Sequence, residues 1–100
     1  MTTLSDAYNM RDLAIKIWGK KDISLTNNPA RQSKAVRGRC YKRFSKEDGE
    51  FFVIHLYTGA NLKTIAHEIA HCYCWDNGII HHEKTEELYR AYTGEKNPIV

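Results

Sequence analysis

Five consecutive residues, His67-Glu68-Ile69-Ala70-His71, constrain the fold more than any other stretch of the chain. They lie where Leu62, Ile65, Ala66, Ile69, Ala70 and Tyr73 recur at three- and four-residue spacing, which predicts a helix from Leu62 to about Trp75. Asp76, Asn77 and Gly78 supply its stop. Residues four apart on a helix differ by about 40° around the axis and stand one turn apart, so His67 and His71 can reach a single ion. Glu68 projects about 100° away from His67, beside such an ion rather than on it. A carboxylate between two histidines on a helix with small apolar flanks is costly to bury without a role. The fold must therefore cover one side of this helix and leave a polar stripe facing a cleft.

The remaining periodicity predicts what does the covering. Leu4, Ala7, Met10, Ala14, Ile17 and Trp18 mark an amphipathic helix from Ser5 to Trp18, with Ser5 or Asp6 as N-cap and Gly19 as the stop. Ile23 to Leu25 reads as a short strand, followed by turn chemistry at Asn27, Asn28, Pro29 and Ala30. Gly38 to Phe44 and Glu50 to Tyr57 read as extended, joined as a hairpin through Lys46 to Gly49, where Gly49 can take a positive φ. The second of these strands is apolar on both faces and should be well covered. After the long helix, Ile79 and Ile80 cross over, and Lys84 to Tyr92 form a last helix closed by Gly94. The expectation is one α+β domain over residues 1–100, built from an N-terminal helix, a small antiparallel sheet of about three strands, and two C-terminal helices.

Charge is divided unevenly along the chain. Residues 1–46 carry a balance of +8 and residues 47–100 a balance of −5, giving the net +3. The densest basic stretch runs from Arg31 through Lys34, Arg37, Arg39, Lys42 and Arg43 to Lys46, with Tyr41 and Phe44 interleaved. Such a stretch can follow a phosphate backbone and stack on bases, or form a solvated sheet face. No run approaches the roughly 20 apolar residues of a membrane span. The first residues have neither a basic region nor an apolar one, which argues against a secretory signal. Cys40, Cys72 and Cys74 are odd in number, and the last two diverge by about 200° on a helix, so reduced thiols in a cytoplasmic, reducing compartment are expected.

Two imidazoles one turn apart suit zinc, which accepts tetrahedral nitrogen ligation and usually takes a third protein ligand in catalytic sites. His82 is the residue chosen, because it follows the Gly78 reversal and precedes the last helix. Glu86 and Glu87 on that helix are the alternatives, and behind them His81 and Glu83. In such a site Glu68 acts as general base on zinc-bound water and then carries the proton to the leaving amine. His55 reads as a satisfied core histidine, Tyr73 and Trp75 as packing. Tyr89 or Tyr92 are candidate oxyanion donors.

With these residues in view, the chain from about Ala35 to Gly94 resembles the SprT-like (Spartan-type) zinc metallopeptidases in minimal form. The resemblance is carried by Arg37-Gly38-Arg39-Cys40-Tyr41 leading into a strand, the strand Phe51 to Leu56, Ala66 to His71, and His82 to Tyr89. It implies zinc ligands at His67, His71 and His82, with Glu68 as general base and acid. It also implies action on proteins attached to DNA, for which only the basic stretch is at hand. Glu83 follows His82 where the family usually has glycine, and the crossover from His71 is short, which leaves a site using Glu86 or Glu87 open. The leading expectation is a zinc-dependent endopeptidase. The alternative is a DNA- or RNA-associated binding module with a structural or vestigial zinc site.

Overall fold

A computed structural model describes residues 4–27, 37–47, 49–57, 60–75 and 78–94. The first element, helix α1 (Leu4–Trp18), turns Ala7, Met10 and Ala14 fully into the core. Two alanines on that stripe let the helix approach its neighbours closely. Gly19 ends it with φ 109°, and its N–H returns to the Ile15 carbonyl at 3.0 Å. Tyr8 and Arg11 then tie the helix to the first strand by donating to the carbonyls of Leu25 and Ile23, each at 3.0 Å.

Strands β1 (Ile23–Asn27), β2 (Gly38–Ser45) and β3 (Gly49–Leu56) form one sheet in the order β1-β3-β2. β2 and β3 are the expected antiparallel hairpin, with Ser45 opposite Gly49 and Gly49 at φ 78°. The all-antiparallel expectation is corrected at β1, which runs parallel to β3 with Ile23 opposite Phe52 and Leu25 opposite Ile54. The reason lies in the order. The hairpin turns the chain back between the two earlier strands, so β3 regains the direction of β1 while pairing with both. A central place also suits the strand that is apolar on both faces.

Phe52, Ile54 and Leu56 on β3, with Ile23 and Leu25 on β1, are buried on the face toward the helices. Helix α2 (Leu62–Tyr73) lies across β2 and β3, and buries Ile65, Ala66, Ile69 and Cys72 in the same core. Asn61 caps it by accepting the Thr64 N–H at 2.8 Å. Helix α3 (Ile79–Thr93) packs on α2 and α1 and ends at Gly94 with φ 77°. It begins five residues before the expected Lys84, with Ile79 and Ile80 forming its exposed first turn instead of a crossover. α2 stops two residues short of Trp75. No helix among the described residues is long and apolar enough to cross a membrane.

Arg31 and Lys34 of the basic stretch, and the turn at residues 28–30, lie outside the described residues. Arg37, Arg39, Lys42, Arg43 and Lys46 are exposed at the start of β2, along it and in the turn that follows. His55 sits half-buried on the sheet face away from the helices, its Nδ1 2.8 Å from the Thr26 hydroxyl and its ring edge-on to Tyr41. It is hydrogen-bonded as expected, but it lies outside the core in which it was expected.

Candidate metal centre

The site is assembled where the first turn of α3 crosses the middle of α2. His67 and His71, one turn apart on α2, stand with ring centroids 4.8 Å apart. The third imidazole comes from α3 and belongs to His81. Its ring stacks on His71 at 3.9 Å and meets His67 edge-on at 4.5 Å. One ligand atom from each of the three residues lies within 4.8 Å of the others, close enough to hold a metal ion.

The structure places His81, and not the expected His82, beside His67 and His71. Because α3 already starts at Ile79, both histidines are helical and point about 100° apart, so only one can face α2. His81 shares the buried stripe with Thr85 and Leu88, four and seven residues on, and is 3% exposed. His82 is exposed and borders the neighbouring cleft beside Glu86. The acidic alternatives are engaged elsewhere. Glu86 pairs with Lys63 of α2 and, at 3.9 Å, with Arg90, and the lysine holds its carboxyl below the usual range. Glu87 accepts the Trp18 indole N–H at 3.2 Å. Glu83 is exposed. The signal for His81 was present in the sequence as the spacing His81, Thr85, Leu88, Tyr92, a helical stripe that only appears if the helix is begun early enough.

The chemistry of the donor set fits a bound cation. Burial, reinforced by the neighbouring histidines, lowers His67 to about 4 and lowers His71 as well, so these imidazoles are neutral and offer lone pairs near pH 7. His81 Nε2 lies 3.0 Å from the His67 carbonyl oxygen. A carbonyl only accepts, so Nε2 is the donor, and in the neutral ring the lone pair then lies on Nδ1. The His71 ring is likewise held by the backbone of Trp75 and Cys74, just past the end of α2. Imidazoles whose outer N–H is fixed by a carbonyl are the usual arrangement around a metal.

Glu68 is 7% exposed and borders two clefts, one shared with Arg37 and His67, the other with Arg39 and His71. Burial raises its carboxyl to about 7, with Arg39 pulling in the opposite direction. Gly38, the first residue of β2, allows this arrangement: a Cβ there would stand 3.3 Å from the Glu68 Cγ and 3.2 Å from the Thr64 Cγ2. The candidate oxyanion tyrosines are not at the cluster. Tyr92 donates to Asp6 of α1 at 2.9 Å, and Tyr89 packs on the core with the Lys63 ammonium 5.1 Å from its ring centroid. Tyr73 packs edge-on against Trp18 at 5.1 Å, as a structural residue.

Comparison of the chain with protein-family models, with curated proteins and with solved structures finds no match.

Proposed function

We propose that this chain is a small cytoplasmic zinc-dependent endopeptidase, a SprT-like metallopeptidase domain in minimal form, with His67, His71 and His81 as the zinc ligands. The observation that carries the reading is the pairing of three mutually touching imidazoles with a buried glutamate whose carboxyl is raised to about 7. Zinc, when bound, supplies a Lewis acid that makes water acidic near neutral pH and polarises a carbonyl. The chain's own residues do the rest. Glu68 takes the proton that water loses as its oxygen joins the carbonyl carbon, and delivers it to nitrogen as the C–N bond breaks. A carboxyl near 7 is matched to both halves of that transfer. The His67 carbonyl behind His81 and the backbone of Trp75 and Cys74 beside His71 hold these two rings in place.

The test is cleavage of a mixed peptide library by the zinc-loaded chain, read by mass spectrometry, with Glu68→Gln alongside. The variant should retain about one zinc per chain by elemental analysis and lose at least ~100-fold in cleavage rate, the scale of a lost general base. Equal cleavage by parent and variant, or no cleavage by a fully loaded parent, would refute the peptidase reading.

A second reading, a nucleic-acid-associated module, is favoured by one feature. Arg39, Lys42 and Arg43 are exposed on a single edge strand together with the half-buried Tyr41, and Arg37 precedes them. Lys42 is partly neutralised by Glu50 at 3.4 Å. This reading expects DNA or RNA binding that weakens steeply with salt and is lost when Arg37, Arg39, Lys42 and Arg43 are replaced together. Absence of binding at low salt removes it.

A further inference from the structure

We propose that Cys40 and Cys72 form a reversible disulfide that ties β2 to α2 alongside the histidine cluster. The two thiols come from different elements and meet across the layer between sheet and helix, with Sγ atoms 3.8 Å apart. Cys72 follows His71 directly on α2, and its Sγ also lies 3.8 Å from the Glu68 carbonyl oxygen. Bond formation requires the sulfurs to close by roughly 2 Å.

Their unequal exposure gives the reaction an order. Cys72 is 3% exposed, whereas Cys40 is half-buried and borders a cleft of about 300 Å³ together with Glu68, His71 and Trp75. A low-molecular-weight disulfide, RSSR, such as oxidised glutathione, therefore meets Cys40 first. The Cys40 sulfur attacks one sulfur of RSSR, forming the mixed disulfide and releasing RSH. The Cys72 sulfur then attacks Cys40 and expels the second RSH. Two protein thiols are oxidised by two electrons, and RSSR is reduced to two RSH. The covalent link then fixes the spacing of β2 and α2 two residues along β2 from Gly38, which already lies against Glu68. The pairing depends on the sulfurs alone and stands whether or not the histidines carry a metal.

The experiment equilibrates the full chain in graded mixtures of oxidised and reduced glutathione. Free thiols are then trapped with N-ethylmaleimide, and the chain is mapped by mass spectrometry. The expected product is a monomer two hydrogens lighter, labelled only at Cys74, with a peptide linking Cys40 to Cys72 and full recovery of three labels after reduction. Cys74→Ser should form the same link, and Cys40→Ser should form none. A link that uses Cys74, chain-to-chain disulfides, a glutathione adduct persisting on Cys40, or three free thiols in oxidised glutathione alone would each overturn the proposal. The map of the unsubstituted chain decides the matter even where a variant at buried Cys72 fails to fold.

Discussion

Replacing His81 and His82 by alanine, one at a time, separates two adjacent residues whose roles the fold makes opposite. His81 lies in the cluster with His67 and His71, while His82 is exposed on a different face of α3. The readout is the rise in melting temperature that zinc produces in each variant, taken against the same variant without metal. Whatever the loss of a buried imidazole does to the metal-free fold then cancels. At free zinc 100-fold above Kd, binding stabilises the native chain by about 2.7 kcal/mol, which is roughly 10–20 °C in a domain of this size. Groups that merely orient a ligand are worth about 10–100-fold in affinity. Removing a ligand outright should therefore cost at least ~100-fold. The zinc concentration that was 100 Kd becomes about 1 Kd, and the stabilisation falls to ~0.4 kcal/mol, a shift of only ~2–3 °C. His82→Ala should keep the full shift. Differential scanning fluorimetry at matched zinc measures both. A full shift in His81→Ala with its loss in His82→Ala would refute the placement of α3 on α2, and equal behaviour of the two would refute the third-ligand assignment.

Two further substitutions probe how the surroundings hold the site. Gly38→Ala drives a Cβ to 3.2 Å from the Thr64 Cγ2, 3.3 Å from the Glu68 Cγ and 3.4 Å from the His55 carbonyl, so urea denaturation should show a loss of about 1–3 kcal/mol. An unchanged midpoint would mean that the Thr64 and Glu68 side chains give way by the few tenths of an ångström required. Leu88→Ala empties a fully buried position below His81 on the same stripe of α3. It should cost about 2–5 kcal/mol and also shrink the zinc-induced shift, because the α2–α3 packing sets the third imidazole; loss of stability with an undiminished shift would separate the two.

What was legible in the sequence, and what was not, follows from how local each feature is. The position of α2, its polar stripe and the pairing of His67 with His71 depend on residues within two turns of one helix, and periodicity reports them directly. Gly49 announces the hairpin because a positive φ is a property of one residue. The parallel pairing of β1 with β3 depends instead on which sheet edge the chain returns to, and no local pattern carries that. The third imidazole of the cluster was missed for a narrower reason. Ile79 and Ile80 are apolar yet exposed, so they imitate a buried crossover and hide the start of α3. Moving that start by five residues exchanges His82 for His81, since neighbouring helical positions differ by about 100°. The contact of Cys40 with Cys72 is likewise long-range, joining positions that look like unrelated small core residues in the sequence.

The three imidazoles also tie the candidate metal site to burial on the same two helices. His67 and His71 belong to one helix and would stay neighbours however α3 were packed. His81 joins them only when Thr85 and Leu88 are seated, because all three share one stripe of α3. The cluster is therefore a readout of tertiary packing, and a cation held by it would bind the folded chain far better than the unfolded one. Glu68 is subject to the same condition. Its carboxyl is raised to about 7 mainly by burial, and that burial depends on β2 reaching α2 at Gly38. Loosening either contact would alter the Glu68 carboxyl and the histidine cluster by different routes. Gly38→Ala acts on Glu68 from the sheet side, and Leu88→Ala acts on His81 from the α3 side. A protein in which the first change altered cleavage without altering metal affinity, and the second altered metal affinity first, would show that sheet and helix pair make separable contributions to one site.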